Sequence, residues 1–411
     1  MRARKLIHLA LAAGPLAVQP LFVAADGAVG LLESWPEDGP EKLWQVPLGG
    51  GFSGLTIVDG RLFTVFSRDR KEIVGAFDAA SGEQVWTVAI DRERKDRWGS
   101  GPRSTPLYDD GVVYAVSALG HLTALKSADG ARLWSRYLQR DLDARVPTWG
   151  VSASPIVDGD LLLFNVGGDG RAVVAFDKKT GDVVWQAGDD LAGYSTPIAF
   201  TAAGIRQAVF FSGSKIIAVA PSSGEILWTQ RWKTAYDINA ATPIFIAPDK
   251  LFVSSAQDKG SALFRNFGDE GTLGVTPLWK SAGMQNQFSS SVYHDGYIYG
   301  FDDKHLKCIA VRDGEARWRQ GGLGHGSLFY ADGHLVVLGD GGQLRLIEAS
   351  PVAVIEKAAG RVANGKHWTV PTLYGGKLFV RNERDLYCFE LSESAEPPMN
   401  SESRRRRGQN P

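Results

Sequence analysis

One spacing recurs along this chain too often to be accidental: a glycine followed, four residues later, by tryptophan. Gly82 precedes Trp86, Gly130 precedes Trp134, Gly181 precedes Trp185, Gly224 precedes Trp228 and Gly314 precedes Trp318. In Val173 to Trp185 an alternating apolar run meets an Asp-x-x-x-Gly turn, and a second short run ends on the indole. Such a phrase predicts a hairpin, with glycine supplying the positive φ that a tight turn needs. Adding Trp44 and Trp279 gives tryptophans at roughly forty- to fifty-residue intervals, a period that indicates a propeller or solenoid and not a single sheet.

A second mark falls well before each tryptophan: Thr105-Pro106, Ser154-Pro155, Thr196-Pro197 and Thr242-Pro243, each opening an apolar run. Proline at the start of a strand costs no ladder hydrogen bond. One unit therefore reads as four antiparallel strands, the size of a propeller blade. A degraded copy without glycine or tryptophan runs from Leu344 to about Ile355, and Trp368 to Leu391 supplies only three strands. The missing strand is at the other end of the chain, around Trp44. The sequence predicts an all-β, eight-bladed β-propeller over residues 41–391, its ring closed by the N-terminal strand. Trp44, Trp86, Trp134, Trp185, Trp228, Trp279 and Trp318 are its docking residues.

The phrase Ala-Phe-Asp-x-x-x-Gly-x-x-x-Trp resembles the docking motif of the pyrroloquinoline-quinone (PQQ) repeat family, which contains quinoprotein dehydrogenases and BamB-type outer-membrane assembly propellers. The resemblance covers nearly the whole of 41–391. It implies the fold strongly and the chemistry weakly, because one propeller scaffold carries many functions.

Composition narrows the classes. The 45 basic and 46 acidic residues nearly balance, which does not suggest a nucleic-acid surface. Residues 1–25 carry Arg2, Arg4 and Lys5, then an apolar run ending Val23-Ala24-Ala25, and read as a signal peptide; the alternative is an uncleaved anchor. A lead-in, 26–40, follows. With no cysteine near this segment, a lipoprotein is not expected, and the protein reads as periplasmic or otherwise exported, without a transmembrane span after cleavage. The two cysteines, Cys308 and Cys388, hold a position filled elsewhere by Ala76, Ala124, Ala175 and Ala218. Equivalent positions on separate blades are too far apart for a disulfide, so two buried free thiols are expected. The polar tail, 392–411, with Arg404 to Arg407, reads as disordered; the alternative is a handle for an acidic partner or lipid headgroups.

Propeller ligands usually sit on a face, around the channel. The segments preceding each first strand are aromatic: Phe52, Trp98, Trp149, Tyr194, Phe288, His325 and Trp368, with Arg97, Arg103, Asn239, Gln287, Lys366 and His367 among them. Such a ring suits a flat ligand, a sugar or a peptide segment. The alternative is that several of these rings simply wedge between blades. The docking tryptophans are core. No His-x-x-x-His pair, complete calcium loop, phosphate loop or nucleophile elbow is present. Nor is the adjacent-cysteine pair that the resemblance to quinoprotein dehydrogenases would lead one to expect; Asn239 is the one oxygen ligand that this resemblance suggests.

The expected function is a non-catalytic, monomeric binding or scaffold protein of the cell envelope, with an envelope protein or small ligand as partner and no cofactor. The resemblance implies outer-membrane protein assembly. Two alternatives stay open: a PQQ- and calcium-dependent quinoprotein oxidoreductase with a reduced site, and a carbohydrate-binding propeller.

Overall fold

The computed structural model describes residues 30–266 and 274–392. The expected signal peptide, 1–25, and the expected tail beyond Ser392 lie outside them. Eight four-stranded antiparallel sheets follow one another. Blade one is Thr56–Val58, Arg61–Arg68, Lys71–Asp78 and Gln84–Arg92. Blades two to seven span 107–137, 156–187, 198–231, 244–281, 292–320 and 327–361. Blade eight is Thr372–Tyr374, Lys377–Arg381 and Asp385–Glu390, completed by Lys42–Pro47 from the other end of the chain. Trp44 lies opposite Cys388 in that last pairing. Among the described residues the only helical turns are Leu138–Leu142 and Ala235–Asp237, and no helix is long and apolar enough to cross a membrane.

The two middle strands of each blade are covered on both faces, which is why they read as continuous apolar runs and not as alternation. Val65, Val74 and Ala76 of blade one pack with Val113, Ala115 and Leu125 of blade two in one such inter-blade core. The outer strand shows one face to solvent. Six of the seven docking tryptophans stand opposite the small-residue column, as in Ala76–Trp86 and Cys308–Trp318, and Trp279 stands opposite Leu263, each next to a register shift. The thiols of Cys308 and Cys388 are buried and free, and burial pushes each up to about 12.

The tryptophan motif locks blade to blade. Six indole N–H groups donate to a carbonyl in the next blade's turn. These are Trp44 to Ala79 (3.2 Å), Trp86 to Ser127 (2.9 Å), Trp134 to Lys178 (3.0 Å), Trp185 to Pro221 (2.8 Å), Trp279 to Val311 (2.7 Å) and Trp318 to Ser350 (2.8 Å). Trp228 differs and donates to Gln207 within its own blade, 3.0 Å away. The motif glycine meets the indole of the preceding blade: a Cβ on Gly130 would stand 2.8 Å from the Trp86 ring, on a backbone with φ +76°. Only glycine satisfies both demands.

A second lock was not read from the sequence. The hydroxyl beside three of the strand-opening prolines accepts a backbone N–H from the preceding blade. Gly54 donates to Thr105 Oγ1 (3.1 Å), Thr105 to Ser154 Oγ (2.9 Å), and Ser154 to Thr196 Oγ1 (3.0 Å). Thr242 donates likewise to Ser290 Oγ, at 3.0 Å. These bonds form a girdle at the inner ends of the blades.

Blade seven departs from the pattern. Ala358 faces Leu346 where other blades place tryptophan. The lead-in supplies the missing ring, since Trp35 packs against the cluster containing Ala358, Val362 and Leu346. The lead-in is fastened there by Arg361 N–H to Glu37 O (3.2 Å) and by Leu32 N–H to Leu391 O (2.9 Å).

Candidate functional site

Because every blade repeats the same path, the connectors before each first strand share one face with the hairpins between second and third strands. The expected mouth residues separate there into two groups and two exceptions.

The first group spans blades six, seven, eight, one and two. Trp368 contacts Phe52 (ring centroids 5.3 Å apart) and Phe288 (5.0 Å), and Phe288 contacts His325 (5.7 Å). Phe288 and Trp368 come from blades that are not neighbours, so their rings meet across the inner end of blade seven. Lys366 sets its ammonium 4.2 Å from the Trp368 centroid and 5.7 Å from Phe52, and donates to Trp98 O at 2.7 Å. That bond ties blade eight to the connector of blade two over the top of blade one. Gly99 of this connector lies against the Phe52 ring, with no room for a Cβ. Arg97 stacks on Trp98, which is itself half exposed. Each ring pair adds roughly 0.5–1.5 kcal/mol beyond simple burial, so the arc is preformed.

Arg103 faces Phe52 from 5.8 Å, but its guanidinium is spent on the connector itself, donating to Gly101 O (2.8 Å) and Gly99 O (2.9 Å). Burial lowers its pKa, against the pull of Asp96. Below it, Glu72 is fully buried and accepts N–H bonds from Ala118 (2.8 Å) and Arg94 (3.2 Å). Burial pushes its carboxyl up to about 7 despite these bonds.

The second group lies on blades three to five. Trp149 meets Tyr194 at 6.0 Å and, edge-on, Tyr236 at 6.0 Å. Tyr236 is 72% exposed and holds φ +59°, and Asp237 after it holds φ +57°. Tyr236 was missed because its place, three residues before Asn239, carries no repeat signal.

The two exceptions are corrections. Asn239 does not face the mouth: it is fully buried, and its amide donates to Ser212 O (2.7 Å), Gly213 O (3.0 Å) and Trp232 O (3.2 Å). Its Oδ1 accepts from Ser255 Oγ at 2.9 Å, so it has no oxygen left for a cation. It holds the connector in shape. His367 is likewise fully buried, with Nδ1 3.0 Å from Gly365 O, and burial lowers its pKa. Gln287 remains half-buried beside Phe288.

The arrangement can grip a flat or extended ligand by ring faces and two cations. Arg103 and Asn239, the residues that the quinoprotein resemblance would draw on, are committed to backbone carbonyls, and among the described residues no three His, Cys, Asp or Glu side chains converge on a point.

A family profile described as outer membrane protein assembly factor BamB matches residues 25–165 and 70–320. The outer membrane protein assembly factor BamB of Yersinia pestis is 24% identical over 318 residues, 72% of this chain and 73% of the relative. The 1-butanol dehydrogenase (quinone) of Thauera butanivorans is 27% identical over 167 residues, 40% of this chain but 25% of that enzyme. The crystal structure of BamB from Moraxella catarrhalis superposes with a TM-score of 0.63 at 15% identity, covering 86% of this chain and all of that one. This last likeness is one of fold.

Proposed function

The chain belongs to the family described as outer membrane protein assembly factor BamB, and from that premise we propose that it is a binding propeller of the cell envelope. In this reading the channel mouth presents its aromatic surface to a protein partner in outer-membrane protein assembly, and no bond is made or broken. The observation that carries it is the arc Phe52–Trp368–Phe288–His325, which offers contact surface on rigid connectors. Buried aromatic anchors with a cation beside them are the residue types on which protein interfaces concentrate their binding energy. Matches to BamB relatives run over most of both chains, whereas the match to the quinone dehydrogenase takes in only a quarter of that enzyme.

The test is affinity enrichment from envelope extracts with the wild-type chain and with Phe52→Ala/Phe288→Ala/Trp368→Ala. The expected result is an envelope protein recovered with the first and lost with the second, together with a fall in outer-membrane protein yield in cells carrying the variant. Stoichiometric binding of PQQ with calcium, accompanied by dye-linked alcohol oxidation and with no partner recovered, would sink the proposal in favour of an oxidoreductase.

A further inference from the structure

The two faces of the wheel differ in charge, and the difference has separate causes on each side. On the face opposite the mouth, acid comes with turn chemistry. Asp59, Asp110, Asp295 and Asp332 hold the left-handed positions of the first hairpins, with φ between +43° and +48°. Asp78, Asp177 and Asp313 accept turn amides; those hydrogen bonds hold the first two carboxyls below their usual range, and the Arg312 guanidinium, with the turn amide behind it, does so for Asp313. Aspartate is the residue such turns prefer, so this acidity needs no functional cause.

The connector face has left-handed turn aspartates of its own, Asp69, Asp258 and Asp303, but no turn rule explains its exposed cations. Arg70, Lys71, Arg92, Lys95 and Arg97 are exposed around the crest of blade one, and Arg231 and Lys233 are exposed between blades four and five. Among the described residues, none of these seven pairs with a carboxylate. Near the opposite face, by contrast, Lys178 pairs with Asp109 and Arg206 with Asp158. Blade one is built for this crest. Its two middle strands run eight residues each, where most other blades have five to seven, lifting the Arg68-Asp69-Arg70-Lys71 hairpin.

The same face exposes apolar surface. Trp98 is 50% exposed, Leu191 43% and Tyr236 72%, each on a different connector. Tyr236 keeps its ring outward on a left-handed backbone, a conformation costing roughly 1–2 kcal/mol for a residue with a Cβ. Exposed indole and phenol rings among unpaired cations are the combination that settles at the boundary between lipid headgroups and water.

We propose that the connector face docks on an anionic bilayer surface, with the crest of blade one and the Arg231–Tyr236 connector as its two footholds. The footholds lie about half the ring apart, so a line of contact, such as an acidic peptide in a groove, engages one of them, whereas a plane engages both. The acidic opposite face is repelled from the same surface and fixes the orientation. The proposal does not depend on the reading of the mouth, although it would turn the mouth toward a membrane-embedded partner.

Co-sedimentation of the full chain with phosphatidylcholine vesicles, with and without phosphatidylglycerol, tests it. Binding is expected only to the anionic vesicles and is expected to weaken with salt. Arg70→Ser/Lys71→Ser/Arg97→Ser should weaken it by roughly fivefold per cation removed, and Trp98→Ser/Tyr236→Ser should weaken it at unchanged charge. Lys126→Ser/Lys179→Ser on the opposite face should leave it unaltered. All variants are checked for native circular dichroism. Equal binding to neutral vesicles would overturn the proposal. So would loss of binding only when Arg404, Arg405, Arg406 and Arg407 are changed to Ser, or soluble polyglutamate displacing the protein from vesicles at low concentration, which would make the face a site for acidic protein.

Discussion

Among the described residues Arg381 is the largest fully buried side chain, and it makes no ion pair, Glu383 acting on it only at longer range. It sits at the seam between blades eight and one and donates to Val65 O (2.8 Å), Gly49 O (3.2 Å), Gly50 O (3.2 Å) and Ser53 O (3.3 Å). Burial pushes its pKa down to about 9. Replacing it with methionine strands several buried carbonyls, and each unsatisfied group costs about 1–3 kcal/mol. Arg381→Met is therefore expected to lower unfolding stability by at least about 3 kcal/mol in urea titrations. Glu72 makes a pH-dependent contribution. Its carboxyl is raised from 4.5 to about 7 in the folded protein, so the native state holds the proton more tightly. The resulting stabilisation is complete below about pH 4.5 and is lost as pH rises through 7, a difference of roughly 3 kcal/mol. Urea midpoints at pH 5 and pH 8 should fall further for wild type than for Glu72→Gln; equal falls would remove this role. Neither residue was legible in the sequence. Each stands at a strand end beside other charged residues, Arg68 to Lys71 before Glu72 and Glu383 to Asp385 after Arg381, where a charge reads as solvated; only the fold shows the carbonyls or amides that satisfy it. Asn239 was misread for the same reason: its position in the repeat was right, but its connector folds inward around it.

At the scale of elements, the docking strand was legible because its tryptophan and glycine answer steric demands that few other residues meet. The register shift beside each tryptophan was not. It leaves one extra residue on the outer strand, and at Val85, Leu133, Val184 and Leu278 that residue is an exposed large apolar side chain. Their exposure follows from the bulge and calls for no partner. The girdle of Ser and Thr hydroxyls was visible as a recurring letter, but its bonding was hidden because each bond joins residues about a blade apart. Blade seven shows the limit most clearly. Its outer strand lacks the motif, and the ring that covers it, Trp35, lies more than three hundred residues away in sequence. Trp35→Ala should lower stability by about 3 kcal/mol, read by chemical denaturation. Slower exchange at the Glu356–Arg361 amides in wild type than in the variant would assign the loss to blade seven.

For the whole molecule, the closure inferred from two incomplete ends was correct: Lys42–Pro47 pairs with Asp385–Glu390, and the Trp44 indole docks onto blade one. A ring closed this way holds eight connectors rigidly on one face, and that rigidity lets side chains from non-neighbouring blades meet at Phe288–Trp368. Repeat period, strand count and the face carrying the aromatics were legible because each is periodic. The division of charge between faces was not, since acids and bases nearly balance along the chain and separate only when the hairpins alternate ends. The central claim is that this protein works through its connector face. Site-specific photo-crosslinking in its native cell tests that most directly, with the cross-linker placed at Gln287 in the mouth or at Glu225 in a turn on the opposite face. Adducts to an envelope protein from Gln287 and none from Glu225 are the expected result; adducts from Glu225 alone would contradict the account.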